Sequence, residues 1–319
     1  LQRLMAHFAL RGEAAGPLSA GLLGYLAYDL KDVLERLPRT AMDRDGLPLI
    51  WLAAPSLLAV EHRETGRRDL FTVLPAGRPA AEGRAARQAW DRPPGPPETP
   101  AEDPVEEAGG FSSNFERPEY LAAVARIRAY IAAGDVYQVN LSQRFKAPFA
   151  GSPFDLFRRL YAANPAPFFA YLQAGDHQVL STSPERFLHV AGGRVETRPI
   201  KGTRPRGADP AEDRRLRAEL TASPKDDAEL SMIVDLLRND LGRVCRPGSV
   251  RVAEHKRLEA YTNVYHLVSV VEGLLEPGCT TVDLLRATFP GGSITGCPKI
   301  RAMEIIDELE PDRRHVYTG

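Results

Sequence analysis

The sequence contains few cysteines, no long apolar run and almost no net charge. Its three cysteines, Cys245, Cys279 and Cys297, are far apart and form no CxxC pair, which argues against a disulfide framework and against a zinc site. We therefore expect a reducing, cytoplasmic environment. No apolar run reaches the roughly 18 residues that a membrane-spanning helix needs. Residues 1–11 also lack the charged-then-apolar layout of a secretory signal.

A formal net charge of −1 gives the chain no general attraction to nucleic acid or to an anionic membrane. Basic residues cluster between Arg204 and Arg217, and such runs are usually solvated, so we expect no nucleic-acid partner. The 319 residues are 43% hydrophobic and 26% charged, which is typical of a soluble globular protein. The chain begins without Met and ends without a polar tail, and we interpret it as cut at both ends.

A proline- and acid-rich stretch over residues 92–113 is the clearest domain boundary. Proline has no backbone donor and restricts the residue before it, and the acidic residues oppose collapse. We therefore predict a truncated β-rich N-terminal portion (residues 1–91), a linker (92–113) and a second domain (114–319).

Hydrophobic periodicity predicts helices and strands in no regular alternation. Tyr120, Val124, Ile127 and Ile131 recur at helical spacing, and Gly134 follows as an expected left-handed cap. Because strands are grouped among helices without βαβ order, an α+β fold is favoured. Further helices are predicted at 153–162, 211–220, 226–240, 282–288 and 298–309, and strands at 21–30, 47–60, 68–74, 137–145, 168–172, 178–182, 187–190 and 194–198.

Lys201 is the lysine of a PIKGT motif, and it lies 16 residues after Glu185. Burial or a nearby positive charge lowers the pKa of a lysine and frees its amine to attack carbon. Taken alone, a loop lysine is more often a solvated surface charge. Glu185 follows a Ser-Pro turn and can act as a general acid if burial raises its pKa. The alternative for Glu185 is a salt bridge with Arg186 or Arg198.

Two acidic residues lie one helical turn apart in the segment that begins at residue 225. Asp226 and Glu229 share one helix face, and two carboxylates there repel unless a cation lies between them, for which Mg²⁺ is suited. The alternative makes Asp226 a helix N-cap and Glu229 part of a polar face. At the far end of this helix, Arg238, Asn239 and Asp240 are expected to tie the helix into the fold.

A glycine-rich loop, PGGSITGCPK over residues 290–299, leads directly into a helix. Exposed N–H groups at a helix start attract anions, and Ser293 and Lys299 add hydroxyl and ammonium donors. The loop is predicted to bind a carboxylate or phosphate, with a plain structural turn as the equal alternative. His266 lies in an apolar run, where a core histidine is the common occupant.

Six motifs occur in one order: GDVYQVNLSQRF, SPERF, ETRPIKGTRPRG, KDDAELSMIVDLLRNDLGRV, YTNVYHLVS and FPGGSITGCPKIRAMEIIDELEP. In order and spacing they resemble the chorismate-utilising enzymes, component I of aminodeoxychorismate synthase or of anthranilate synthase. The resemblance implies an α+β fold with two mostly antiparallel sheets packed face to face and helices outside. It also implies Mg²⁺-dependent amination of chorismate, with ammonia delivered by a glutaminase subunit.

The resemblance also assigns roles around the reacting ring. Glu185 takes the position of the general acid/base. Gly202 and Thr203 line the substrate pocket, and His266 matches a histidine that assists departure of the ring hydroxyl.

Further roles concern the metal, the incoming nucleophile and the substrate carboxylates. Glu229 takes a magnesium-ligand position, with Asp226 as a second acid, and Ser293 and Lys299 fall in the loop that holds substrate carboxylates. Gln138 stands where water-using relatives carry a lysine base. Since glutamine cannot deprotonate water, ammonia is favoured as the nucleophile.

A separate segment, NPAPFF, resembles the tryptophan pocket of the family and includes Pro167, Phe168 and Phe169. In anthranilate synthases that pocket serves feedback inhibition, and in aminodeoxychorismate synthases it is often a structural tryptophan site. A hydrophobic core strand is the alternative for the two phenylalanines, and it is compatible with either role.

Lys201 separates the two leading functional hypotheses. Similar anthranilate synthases carry PIAGT, whereas aminodeoxychorismate synthases carry PIKGT with the lysine as nucleophile, so the latter activity is predicted. Anthranilate synthesis is the alternative, and a non-catalytic remnant that binds only chorismate or the glutaminase is a third. The family chain continues beyond Gly319 with further metal ligands, so we expect the magnesium site to be incomplete in this chain.

Overall fold

The computed structural model describes residues 1–7, 21–62, 64–73, 80–91 and 110–319. The chain forms two compact units. One contains Leu1–Leu26 and Ile50–Glu106, and the other contains Ala27–Leu49 and Glu107–Gly319. The boundaries placed at residues 91 and 113 stay a prediction, because most of the expected linker (92–109) lies outside the described residues.

The helices and strands of the described residues follow in chain order. The helices are α1 (Gln2–His7), α2 (Lys31–Leu34), α3 (Ala80–Asp91), α4 (Arg117–Ala133), α5 (Pro153–Ala163), α6 (Pro210–Ala222), α7 (Pro224–Gly242), α8 (Thr281–Thr288) and α9 (Lys299–Leu309). The strands are β1 (Leu23–Leu26), β2 (Ile50–Ala53), β3 (Leu57–His62), β4 (Arg67–Thr72), β5 (Ser112–Ser113), β6 (Gln138–Val139), β7 (Phe145–Lys146), β8 (Phe168–Ala174), β9 (His177–Ser183), β10 (Arg186–Ala191), β11 (Arg194–Arg198), β12 (Ile200–Pro205), β13 (Arg251–Ala260), β14 (Val264–Leu274) and β15 (Gly296–Cys297).

The first unit is built on two antiparallel ladders, β1 with β2 and β3 with β4. The strand predicted at 47–60 is divided in two, because Pro55 lies between β2 and β3 and proline has no N–H for a ladder. The strand predicted at 21–30 ends at Leu26. A short 3₁₀ turn, Tyr28–Leu30, follows it in the second unit.

The second unit contains a five-stranded antiparallel sheet in which β14 is the central strand. On one side β14 pairs with β11 and then with β12, on the other it pairs with β13, and β10 extends the sheet from β11. Helix α7 packs on this sheet through Leu230, Val234 and Leu241, which recur at helical spacing and contact buried residues of β14. The α+β class that the sequence favoured is confirmed.

Local signals in the sequence explain where several elements end. Gly134 closes α4 in the left-handed conformation with φ +83°, as predicted. The hairpin between β10 and β11 turns at Gly192 and Gly193, both with positive φ. Among the described residues, no helix is both long and apolar enough to cross a bilayer.

The strand predicted at 137–145 is wrong for most of its length. Within this range only Gln138–Val139 and Phe145 belong to β-strands. The backbone between them forms hydrogen bonds to other parts of the chain. The Asn140 amide donates to the Thr295 carbonyl at 2.8 Å, and the Ser142 amide donates to Glu310 Oε1 at 2.7 Å. These bonds hold the segment against the glycine-rich loop and the C-terminal residues.

Candidate active site

Segments that are distant in sequence bring the predicted catalytic residues together. Lys201 lies on β12, and not in a loop as expected, while Glu185 directly precedes β10. Glu229 projects from the second turn of α7, and Ser293 lies in the 3₁₀ turn Gly292–Ile294. Gln138 reaches the same place from β6, which pairs with β15 beyond that turn.

The Lys201 ammonium is held by two acceptors. Its Nζ donates to the Ser293 carbonyl at 3.2 Å and lies 3.4 Å from Glu229 Oε1. Only 13% of the side chain is exposed. Lys201 is therefore not a solvated surface lysine, and the alternative that considered it one is wrong.

Glu185 is a partly buried carboxyl group that contacts Ser293. Burial raises the pKa of its carboxyl group, and the Ser293 hydroxyl and the charge on Lys201 oppose that rise. Ser293 Oγ donates to Glu185 Oε1 at 2.5 Å. The alternative of a salt bridge to a neighbouring arginine is wrong, because Arg186 and Arg198 both bond Glu196, at 2.6 and 2.7 Å.

The two acidic residues of α7 have different partners. Glu229 Oε1 accepts from Gln138 Nε2 at 2.7 Å and faces Lys201. Asp226 is buried, and its Oδ2 lies 3.3 Å from the Arg204 guanidinium. The alternative that made Asp226 the N-cap is wrong, since Ser223 caps α7 and accepts from the Asp226 amide.

Magnesium requires oxygen ligands and keeps several waters when the protein supplies one or two carboxylates. Glu229 fits as one such ligand. Asp226, the second acid of the prediction, pairs with Arg204 at 3.3 Å, and its role as a metal ligand also stays a prediction. Over the part of the chain that the structure describes, no three Asp, Glu, His or Cys side chains converge on one point. Magnesium binding therefore stays a prediction that rests on Glu229.

Gly202, Thr203 and His266 form one side of the cluster, where β12 pairs with β14. Thr203 Oγ1 lies 3.0 Å from His266 Nδ1, and the same nitrogen is 3.4 Å from the Gly202 carbonyl. Burial lowers the pKa of the half-buried His266, so the imidazole is neutral near pH 7. Gly202 has φ +74° and packs against Leu220 and Asp226.

Lys299 is directed away from this cluster, contrary to the prediction that it holds a substrate carboxylate. As the first residue of α9 it is buried, and its Nζ donates to Asp240 Oδ2 at 2.5 Å and to the Thr288 carbonyl at 2.7 Å. Burial raises the pKa of Asp240 to about 6, and the Lys299 charge opposes that rise. The pair ties α7 to α9, as expected for the end of α7.

Comparison with known proteins identifies the family to which the chain belongs. A family model described as chorismate binding enzyme matches residues 2–319. The chain belongs to the chorismate-binding enzyme family. It is 46% identical over 310 residues to anthranilate synthase component 1 of Thermus thermophilus, covering 95% of this chain and 65% of that protein. It is 43% identical over 304 residues to aminodeoxychorismate synthase component 1 of Salmonella typhimurium, covering 95% and 64%.

A solved structure of this family has the same fold. Anthranilate synthase component I from Streptococcus pneumoniae superposes with a TM-score of 0.89 at 32% identity, covering 99% of this chain and 72% of that one. The anthranilate synthase component I-like fold is thereby confirmed. The chain spans a little under two thirds of the length of the first two relatives named above.

The segment compared with a tryptophan pocket in this family lies at the start of β8. Phe169 packs against Phe157 and Tyr161 at ring-centroid distances of 6.1 and 5.3 Å. The Phe168 ring faces the Arg186 guanidinium at 5.4 Å, and Pro167 is exposed. This packing agrees with a hydrophobic strand, and tryptophan binding stays a prediction.

Asn140 is a residue of the cluster around Lys201 that the sequence interpretation missed. Its Nδ2 donates to the Ser293 carbonyl at 2.7 Å, the same oxygen that holds Lys201. A signal was available in the sequence. Asn140 follows Gln138 by two residues, and residues at that spacing point to one side of an extended chain.

Proposed function

We propose that this chain aminates chorismate to 4-amino-4-deoxychorismate, the reaction of aminodeoxychorismate synthase component I. The observation that carries the proposal is the Lys201 amine, which is 13% exposed and held between the Ser293 carbonyl and Glu229. The charge of Lys201 also reaches Glu185. A nucleophile and a proton donor are thus adjacent in one partly buried site.

The relatives support chorismate as the substrate and leave the product to be decided by the site. They include both anthranilate synthase and aminodeoxychorismate synthase at nearly equal identity. Lys201 favours the second, because an alanine in the PIAGT form has no amine to add to the ring.

The reaction proceeds in two displacements that balance. The Lys201 ammonium first passes one proton to the Glu185 carboxylate. The resulting amine forms a bond to C2 of chorismate, both ring double bonds shift, and the C4–O bond breaks. Glu185 gives its proton to the departing hydroxyl, which leaves as water. Ammonia then bonds to C4, both double bonds shift back and the C2–Lys201 bond breaks. Glu185 takes the surplus proton from the new ammonium group, and the enolpyruvyl ether is retained.

The other residues of the cluster orient the substrate and exclude water. Gly202 permits close approach to the β12 backbone, and Thr203 and His266 lie beside it. Gln138 carries no group that deprotonates water, which favours ammonia. Magnesium, when bound at Glu229, would supply positive charge to a ring carboxylate. Orientation of the reactants in this pocket supplies much of the rate.

Ammonia is proposed to come from a glutaminase subunit. The relatives are each called component 1, which supports a second component. Free ammonium replaces that subunit in the test below, so the chemistry of Lys201 can be measured without it.

The experiment supplies chorismate, Mg²⁺ and ammonium to the protein and separates the products by chromatography. Aminodeoxychorismate is expected without release of pyruvate. When ammonium is withheld, the intact mass should rise by one chorismate less one water, the adduct on Lys201. Lys201→Ala should abolish both signals.

Lys146→Ala is the matched control, because Lys146 is an exposed lysine that pairs with Asp45. It should retain product and adduct. An adduct that persists in Lys201→Ala contradicts the assigned nucleophile. Fluorescent anthranilate with an equal amount of pyruvate would show the anthranilate synthase reaction instead. Binding of chorismate without turnover would identify a non-catalytic remnant.

A further inference from the structure

Ser293 contacts both reactive groups of the proposed site. Its backbone carbonyl accepts from Lys201 Nζ at 3.2 Å and from Asn140 Nδ2 at 2.7 Å. Its hydroxyl donates to Glu185 Oε1 at 2.5 Å. One residue of a short 3₁₀ turn therefore joins the amine to the carboxyl group.

We infer that Ser293 is a positioning residue, and not a ligand of a substrate carboxylate, and that Asn140 holds its carbonyl in place. In this arrangement the Ser293 hydroxyl decides which oxygen of Glu185 carries the proton, and the Ser293 carbonyl directs the Lys201 amine. The inference rests on the proposed function for its consequences in catalysis.

The consequence for Glu185 follows from the direction of the hydrogen bond. A protonated carboxyl group has one O–H donor, and its other oxygen remains an acceptor. When Ser293 Oγ donates to Oε1, Oε2 is the oxygen left to carry the acid proton. The proton is thereby placed on a single oxygen, from which it can reach the departing hydroxyl without rotation of the carboxyl group.

The consequence for Lys201 follows from the number of its acceptors. An ammonium has three N–H donors, and the Ser293 carbonyl and Glu229 Oε1 are acceptors for two of them. The third N–H, and the lone pair that replaces it when that proton leaves, therefore points in the remaining direction. A carbonyl oxygen has two lone pairs. Lys201 and Asn140 occupy both of them on Ser293, so that the carbonyl cannot turn freely.

Few groups act on the Glu185 carboxyl within the described residues. Lys201, from β12, is the charged side chain that acts on its carboxyl group, and the Ile200 N–H and the Ser293 hydroxyl also stabilise the carboxylate. Each of these lowers the Glu185 pKa against the effect of burial. Removal of the Ser293 hydroxyl should therefore raise that pKa further.

The first test compares Ser293→Ala with Ser183→Ala. Ser183 is the matched control, because its hydroxyl bonds the Glu185 backbone and not the carboxyl group. Ser293→Ala should lower kcat by up to about 10²-fold with little change in KM, as expected for lost orientation. The alkaline limb of the rate profile should move to higher pH. Ser293→Thr, which keeps a hydroxyl, should restore both, and Ser183→Ala should change neither.

A readout that needs no turnover accompanies these rates. The Glu185 carboxyl carbon, labelled with ¹³C and assigned with Glu185→Gln, should titrate at higher pH in Ser293→Ala than in the wild type. Ser293→Cys, a weaker donor, should give an intermediate value and serves if the alanine variant does not fold. This titration tests the Ser293–Glu185 link even if the protein makes no aminodeoxychorismate.

The second test concerns Asn140. Asn140→Leu keeps a side chain of similar size and removes the donor to the Ser293 carbonyl without adding a charge, so adduct formation on Lys201 should slow while Glu185 titrates as before. Asn263→Leu is the matched control, because it removes a similar amide-to-carbonyl bond, to Ala163 at 3.0 Å. An unchanged Glu185 titration in Ser293→Ala, or equal adduct rates in Asn140→Leu and the wild type, would overturn the inference.

Discussion

Gly202 shows how much one residue of the site depends on its backbone. It has φ +74°, and a Cβ there would lie 2.9 Å from Leu220 Cδ1 and 3.1 Å from Asp226 Cβ. Left-handed backbone favours glycine, and added atoms in a packed region force neighbours to move. The PIKGT motif therefore needs glycine at this position for two reasons. The backbone is left-handed, and Leu220 and Asp226 leave no room for a Cβ.

Gly202→Ala should lower the free energy of unfolding by about 2 to 4 kcal/mol, the sum of backbone strain and overpacking. Gly193→Ala separates the two contributions, because Gly193 has φ +78° with nothing near a Cβ. It should lose only about 1 kcal/mol, the lower end expected for backbone strain. Urea denaturation measures both, and equal losses would show that crowding against Leu220 and Asp226 is unimportant.

Residue chemistry was predictable from sequence at some positions and not at others. The proton-donor role proposed for Glu185 requires burial, which no pattern around a Ser-Pro turn reports. Its exclusion from a salt bridge depends on Glu196, which occupies Arg186 and Arg198 across the hairpin. The competing partner lies on the neighbouring strand, so the local sequence favoured the wrong alternative.

Helix α7 is the element that presents Glu229, and its start is set by a side chain. Ser223 Oγ accepts from the Asp226 amide at 3.3 Å, and Pro224 follows in the first turn. The Ser-Pro pair is a recognisable start signal. The helix begins at Pro224, two residues before the predicted start at 226.

Ser223→Ala should destabilise the protein by about 1 kcal/mol, since an N–H of the first turn loses its acceptor. Ser223→Asp should retain most of the stability, because aspartate caps as well as serine. Thermal melting measures the difference. A loss as large for aspartate as for alanine would show that the serine acts through packing and not as a cap.

Strand assignment depended more on tertiary structure than helix assignment did. The β13 sequence, RVAEHKRLEA, has no clear alternation, yet it pairs with β14 along its length through bulges. Between β6 and β7 the alternation was present, but backbone N–H groups bond the glycine-rich loop and Glu310 instead of a ladder. In both cases the partner of the segment decided its conformation.

At the scale of the whole molecule, Lys299 and Asp240 connect α9 to α7 through a buried ion pair. Removal of one partner leaves an uncompensated charge in the interior, whereas removal of both does not. Lys299→Met should therefore lose about 3 to 5 kcal/mol of unfolding free energy at pH 7. Lys299→Met combined with Asp240→Leu should recover most of that loss.

Lys256→Met provides the comparison for this pair, because Lys256 pairs with Asp227 at the surface, at 2.9 Å. It should lose at most about 1 kcal/mol. Urea denaturation of the four proteins completes the test. If the double variant were as unstable as Lys299→Met, the prediction would be wrong. The ion pair itself would then stabilise the fold, and the loss in Lys299→Met would not come from an unpaired Asp240 charge.

The sequence by itself determined the family, the α+β class and most helix positions, because motifs, caps and periodicity are local properties of the chain. It also identified the residue types for the proposed chemistry. Only the tertiary structure decided which of those residues meet. Glu185 and Ser293 are 108 residues apart yet hydrogen-bonded, while Lys299 turns inward to Asp240. Strand register and helix packing determine such contacts, and these depend on the whole fold.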